Sequence, residues 1–292
     1  MDVHGRTKIM TMNVRSAVSD KKKAQIRLGV GNIDPDIIVL TETWFCSNDG
    51  EFRIQGYSPI ARCDRPHKIG KEPRSNGGGV LALAKDDIKF THTDQIPLSR
   101  DIQIVRFVVD KITIFGIYRT GKSKENHKKI TDWLETEINK LNDNPFIITG
   151  DLNLPELAKV EFDPILNPTG VDGQVKTPDH MWSELYHKHA LVQHVDEATQ
   201  NKGNILDYIF APESMSIPIV EVKRGVFDPN FDHYPVIFEI NCSFQRDSTL
   251  TYRRKESAAS WKKFKEILKQ INIIGNMPSH RDGLSGKELV ST

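Results

Sequence analysis

Cysteine is scarce in this chain: three in 292 residues, Cys46, Cys63 and Cys242, with no CxxC spacing. An odd, scattered trio excludes a disulfide framework and a cysteine-built zinc site. No apolar run approaches membrane-spanning length, and Met1-Asp-Val-His-Gly-Arg6 has no apolar core of a secretory leader. The expectation is therefore an intracellular protein without membrane association. No internal repeat can be lined up. No Gly-x-Ser-x-Gly or other marked serine or cysteine nucleophile is present, which leaves acyl-enzyme chemistry without a carrier. The run Gly77-Gly-Gly79 is not followed by Gly-Lys-Ser/Thr or by a helix, so close backbone packing is expected there, not a phosphate loop.

An excess of either charge is also missing, with 40 Lys and Arg against 39 Asp and Glu. The balance is nevertheless uneven. Residues 243–292 hold ten basic and five acidic residues, leaving thirty and thirty-four in 1–242. A slightly acidic body does not by itself indicate nucleic-acid binding, so a local basic surface or a metal would have to offset any acidic cluster. A hydrophobic fraction of 38% with 27% charged residues is ordinary for a globular chain. The length allows one large α/β domain or two small ones.

Strands are expected at Lys8–Asn13, Asp36–Glu42, Val80–Ala84, Phe146–Gly150, Ile205–Phe210 and Val236–Ile240. Ile102–Val109 and Ile112–Tyr118 flank Asp110-Lys111 as a hairpin, although that turn pair is not the favoured one. Helices are expected at Lys21–Leu28, at Ser123–Leu141 with Ser123 as cap, and at Ser183–Val195 with a strand-like exit. Residues 46–76 and 156–178 read as loop. A linker at 243–255 leads to an amphipathic helix, Ser260–Ile271, with Trp261, Phe264, Leu268 and Ile271 on one side and Lys262, Lys263, Lys265 and Lys269 between. That helix docks on the core or on a missing neighbour. The division expected is thus 1–242 for the main domain and 243–292 for the basic linker and helix.

Several apolar runs end in side chains that packing does not want: Asn13, Glu42, Asp151 with Asn153, and Asp207 within Ile205–Phe210. Asp151 and Asn153 are two apart, so on an extended chain they face the same space. An Asx-type turn is the competing reading for that pair. Asp207, among apolar neighbours, needs a partner, since an unpaired buried carboxylate costs several kcal/mol. The nearest cation-capable candidate is His233 in Phe231-Asp-His-Tyr-Pro235. Carboxylates and amides without clustered histidine or cysteine suit Mg²⁺ or Mn²⁺, and with a histidine they suit hydrolysis of a phosphate ester by an activated water.

In order and spacing, Thr-Met-Asn13, Leu-Thr-Glu42-Thr, Ile-Tyr118-Arg, Gly-Asp151-Leu-Asn153, Leu-Asp207-Tyr-Ile and Asp232-His233-Tyr-Pro235 resemble the exonuclease–endonuclease–phosphatase superfamily over about residues 6–241. Within it the chain looks most like the apurinic-type endonuclease of non-LTR retrotransposons. Gly-Gly-Gly79-Val, Leu-Val-Gln193 before Asp-Glu-Ala-Thr199, and the basic helix after the core carry that likeness. The resemblance implies a DNase I-like α/β fold, a four-layer sandwich of two mixed β-sheets flanked by helices, with the site at one edge. It implies Mg²⁺-dependent nicking of double-stranded DNA, leaving a 3′-hydroxyl that primes reverse transcription, with Mn²⁺ as a substitute. Glu42 would hold the metal with Asn13 beside it, and Asp232 would be a second ligand. Asp151 would activate the water and Asn153 hold its geometry. His233, fixed by Asp207, and Tyr118 would contact the scissile phosphate. Arg15, Arg119, Thr199 and Asn201 are the expected DNA contacts, the last two in a turn over 199–204 whose bland alternative is a connector. The resemblance also implies nuclear action and a reverse transcriptase domain in the full polyprotein; no such motifs follow here, so an excised domain or truncated copy is expected.

Two departures stand out. Phe231 replaces a serine common before the Asp-His pair, and Ala198-Thr199-Gln200 replaces Pro-Thr-Arg. The alternatives are a cellular abasic-site repair endonuclease, an inositol-phosphate phosphatase or sphingomyelinase on the same core, and a catalytically inactive nucleic-acid-binding module.

Overall fold

The computed structural model describes residues 5–66, 77–121, 123–155 and 178–242. The chain divides into two compact units, Met1–Asp247 and Ser248–Thr292. The second unit, with the expected tail helix, lies outside the described residues, as does nearly all of the 156–178 stretch.

Twelve strands and three helices are described: β1 Gly5–Asn13, α1 Asp20–Ile33, β2 Ile37–Thr41, β3 Tyr57–Cys63, β4 Val80–Lys85, β5 Thr91–Ser99, β6 Ile102–Val109, β7 Ile112–Arg119, α2 Lys124–Asn139, β8 Phe146–Asp151, α3 Pro178–Lys188, β9 Leu191–Gln193, β10 Asp207–Pro212, β11 Ile219–Val222 and β12 Val236–Cys242. They form two six-stranded sheets, ordered β11-β12-β1-β2-β4-β3 and β5-β6-β7-β8-β10-β9. Each sheet is antiparallel except for one central parallel pair, β1 with β2 and β7 with β8. No helix among the described residues is long and apolar enough to cross a membrane.

The strands alternate, and the alternation builds the layers. In β1 and β2, Ile9, Ile37 and Val39 face a core shared with Ile114, Ile147 and Ile209 of the other sheet. Their neighbours Met10, Met12, Ile38 and Leu40 pack with Ile26, Val30 and Ile33 of α1. In the second sheet Phe115, Ile117, Ile148, Tyr208 and Phe210 pack with Ile130, Leu134, Trp182 and Leu185 of α2 and α3. The result is the four-layer sandwich expected. At Gly116 a Cβ would sit 2.8 Å from both Val105 and Val39, which shows how close the layers come.

Most elements fall where expected, and the differences have local causes. Ser19 caps α1 by accepting from the Lys22 N–H, and the helix runs on to Ile33 because Val30 and Ile33 are buried. Gly29 lets Phe227 pack against its backbone. Helix α3 begins at Pro178, before the expected Ser183, and ends at Lys188; a turn through Ala190 at φ 44° leads into β9, the strand-like exit expected. The supposed loop 46–76 contains β3, and Asp207 opens β10 instead of sitting mid-strand. The hairpin turn Asp110-Lys111 has φ of 44° and 69°, the positive pair that a type I′ turn needs. Gly77–Gly79 all have positive φ, and a Cβ on Gly78 or Gly79 would lie 2.6 Å from Gln103 or Thr43. The glycine run is a close-packing device, as expected.

Candidate active site

Parity decides which polar side chains meet. Asn13, Tyr118, Asp151 and Asp207 share the faces of Ile9, Ile114, Ile147 and Ile209, the faces turned toward the opposite sheet. Register places Asn13 beside Thr41, Tyr118 beside Asp151, and Asp151 beside Asp207. All of them therefore gather at one rim of the sandwich, where the apolar interior ends and the two sheets open.

Asn13 donates through Nδ2 to Asp151 Oδ2 at 2.7 Å, a buried bond from one sheet to the other. Asp151 Oδ1 accepts the Asn153 N–H at 2.9 Å, the Asx-type turn that competed as a reading. Here the turn and the site coexist, because the turn fixes the carboxylate. Tyr118 donates to Glu42 Oε1 at 2.7 Å, and the Trp44 indole approaches Glu42 Oε2 at 3.3 Å. His233 Nδ1 lies 2.7 Å from Asp207 Oδ2, so the partner that Asp207 required is the residue expected. Glu42, Trp44 and Asn153 have φ of 52°, 62° and 52°, and Arg15 has 41°. Such left-handed non-glycine residues are costly, and they cluster where side chains must be aimed away from regular strands.

The electrostatics follow from the crowding. Burial, then the Asp207 charge, push the Asp151 carboxyl up to about 8, against the pull of His233 and the Asn13 bond. For His233 burial works against the charged form, but the Asp207 charge and hydrogen bond outweigh it and raise the imidazole to about 9. Burial and then Glu42 raise Tyr118, so its hydroxyl stays a neutral donor.

The donor set suits a hard divalent cation. Ligand atoms of Asp151, Asp207 and His233 lie within 4.8 Å of one another. Asp207 Oδ1 and Asp232 Oδ1 are buried without a hydrogen-bond partner, and burial and the Asp207 charge hold Asp151 back from ionising, a penalty that a bound cation would relieve. Glu42 is close enough to act on both Asp151 and Tyr118, so its carboxylate belongs to the same electrostatic cluster. Oxygen ligands of this kind fit Mg²⁺ or Mn²⁺.

The expected DNA contacts divide. Arg15 is largely exposed and pairs with Asp232 at 2.7 Å, and Asn201 is exposed with its N–H on the Asp232 carbonyl. Arg119 and Thr199 do not face solvent. Arg119 is 1% exposed, and its guanidinium donates to the carbonyls of Leu152, Asn153 and Gly121. Parity explains this: next to Tyr118, it must point to the helix side of its sheet. Thr199 is fully buried, its hydroxyl accepting the Leu206 and Asp207 N–H groups, so it anchors the 199–204 turn instead of touching DNA. That turn is bridged to the His233 segment by Gln200, Asn201 and Tyr234.

Two residues here had not been anticipated. Trp44, two places after Glu42, could have been found as an aromatic N–H donor following a strand-ending carboxylate. Lys22 sits 3.5 Å over the Phe231 ring and feels Asp232 and Asp228; burial still lowers its pKa. Phe231 is itself buried, so in place of the serine it supplies the surface on which Lys22 rests.

A family description, Endonuclease/Exonuclease/phosphatase family, matches residues 10–225. No match is found among curated proteins. Among solved structures, the endonuclease domain of TRAS1, a telomere-specific non-LTR retrotransposon, is 14% identical, with 82% of this chain and 100% of that one covered at a TM-score of 0.55. The AP endonuclease LMAP from Leishmania major is 14% identical over 82% and 89%, at 0.59. The 3′ phosphatase NExo from Neisseria, bound to product DNA hairpin, is 15% identical over 80% and 99%, at 0.57. At these identities the likeness is one of fold.

Proposed function

We propose that this chain, which belongs to the endonuclease/exonuclease/phosphatase family, is a divalent-metal-dependent endonuclease. In this reading it nicks duplex DNA to leave the 3′-hydroxyl that primes reverse transcription of a non-LTR retrotransposon. The observation that carries the chemistry is the rim where Asn13 bonds Asp151 across the two sheets while Asp207 holds His233 beside them. One carboxylate and one imidazole, tuned differently by their surroundings, supply a base and a cation at the same mouth.

Glu42, Asn13 and Asp232 are the set we assign to Mg²⁺ or Mn²⁺. Such a cation neutralises phosphate charge and acidifies a water when bound. Asp151, its proton affinity raised toward neutrality, takes the proton of the attacking water, and Asn153 orients it. His233, kept cationic by Asp207, stabilises the phosphate oxygens. Tyr118 spends its hydroxyl on Glu42, so its part is to hold that carboxylate and only then to border the phosphate. The exposed Arg15 and Asn201 flank the mouth as the DNA contacts. The full coverage of the TRAS1 endonuclease domain and the basic residues after 242 support the retrotransposon setting. A reverse transcriptase domain in the full polyprotein and action in the nucleus belong to the same reading.

Supercoiled plasmid, an abasic-site duplex and inositol phosphate, each with Mg²⁺ and with EDTA, test it. Nicked circles whose ends a polymerase extends, formed only with metal, are the expected result. Preferential cutting of the abasic duplex would move the reading to repair. Turnover of the monoester alone, or nicking in EDTA, would overturn it. Asp151→Asn and His233→Ala should each lower nicking by about 10²–10³-fold.

A further inference from the structure

Strand β8 ends at Asp151, and Asn153, at φ 52°, turns the chain out of the sheet. The turn leaves the Leu152 and Asn153 carbonyls without strand partners, in a region where an unmet carbonyl is costly. Arg119 meets both, at 2.7 and 3.3 Å, and meets Gly121 O at 2.6 Å. On the opposite side of the loop, Leu206 O accepts the Leu152 N–H at 3.0 Å and Asp151 Oδ1 accepts the Asn153 N–H at 2.9 Å. Tyr208 donates to the next carbonyl, Leu154, at 2.6 Å. The peptide planes of 152–154 are thus held from both sides by groups of fixed direction.

We propose that Arg119 is a positioning residue for the reaction, acting from behind the second sheet through this loop on the Asp151 carboxylate. The inference rests on the nuclease reading. The chain of contacts is short: guanidinium to the 152 and 153 carbonyls, the Asn153 N–H to Asp151 Oδ1, and Asp151 Oδ2 to Asn13 of the other sheet. A planar fork with five N–H donors reaches several carbonyls together; a lysine ammonium presents its donors at one point and cannot span them. Tyr118 and Arg119, adjacent on β7, therefore serve opposite faces of one strand end. Tyr118 fixes Glu42 in the mouth, and Arg119 fixes Asp151 from outside it.

The test is Arg119→Lys in the full chain, with kcat, KM, thermal midpoint and the salt dependence of DNA affinity measured together. Small displacements of a reacting group cost up to about 10²-fold, so kcat should fall by that order in the folded variant. KM and the salt slope should stay at parent values, and the Asn153 amide resonance should move. A raised KM at parent kcat would make Arg119 a phosphate contact and overturn the proposal; the salt slope holds either way, because lysine keeps the charge. A lowered melting point with parent kcat in the folded fraction would also overturn it. Should the variant not fold, the parent itself gives the answer: Arg119 guanidinium signals that stay still on DNA titration while those of Arg15 move support the proposal, and joint movement refutes it. If the parent nicks nothing, the nuclease reading fails separately, and the Asn153 resonance still reports what Arg119 holds.

Discussion

Asp207 is fully buried and lies on His233, and the pair sets the charge at the mouth. Burial alone would push His233 below 6.5, and the Asp207 carboxylate is the largest influence raising it to about 9. A histidine whose folded pKa is raised adds stability that is complete below about 6.5 and is lost as pH rises through about 9. In metal-free protein, Asp207→Asn should therefore lower the His233 titration from about 9 by NMR, with only Asp151 and Asp232 left to oppose burial. The stability gap between parent and variant should be wider at pH 6 than at pH 10. A histidine that still titrates near 9 in the variant would remove Asp207 as the cause. Asp207 and its partner were legible in the sequence because a carboxylate in an apolar run must be satisfied, and one Asp-His pair stood within reach. Arg119 was not, since all eight residues of β7 are buried and the pattern offers no exposed face to read. Trp44 stood visibly two places after Glu42, but the left-handed backbone at both residues, which no local propensity favours, left its contact with Glu42 unread.

Strands show the same division. Central β1, β2, β7 and β8 are apolar runs ending in polar residues, and their extents were nearly all visible. Strands β3, β5 and β11 hold sheet edges or lie next to one and are partly exposed, with Pro59 and Pro97 among them, so their sequences look like loops. Between Gly150 and β7 the packing leaves no tolerance: a Cβ there would lie 2.1 Å from Ile117 O, at φ 125°. Gly150→Ala should destabilise the protein by about 3 kcal/mol or more in denaturant unfolding, because neither backbone can yield alone. The 199–204 turn offers its exposed residues beside the His233 segment. Replacing 200–203 with Gly and Ser should change where nicks map on a plasmid more than how fast they form, since groove edges and step deformability set such preferences. An unaltered map would make the turn a connector.

Across the whole molecule, acidity and basicity are separated along the chain. Residues 243–292 hold ten Lys and Arg against five Asp and Glu, while residues 1–242 are slightly acidic. Deleting 250–292 should leave metal-dependent nicking in place but weaken DNA affinity and flatten its salt dependence, because fewer phosphates are neutralised. A lower melting point with an unchanged salt slope would give those residues a structural part instead. The four-layer order was legible through strand alternation and family likeness, but the pairing of strands was not, because register between distant segments leaves no local mark. One pairing has a consequence for synthesis. Strand β1 is sealed on one side by β2 but on the other only by β12, more than two hundred residues later. At the usual pace of translation, the nascent chain carries that open edge for roughly ten to fifty seconds. Fragments ending before Val236 should accordingly precipitate or stay on chaperones when expressed alone, and chains reaching past Cys242 should leave the ribosome able to close.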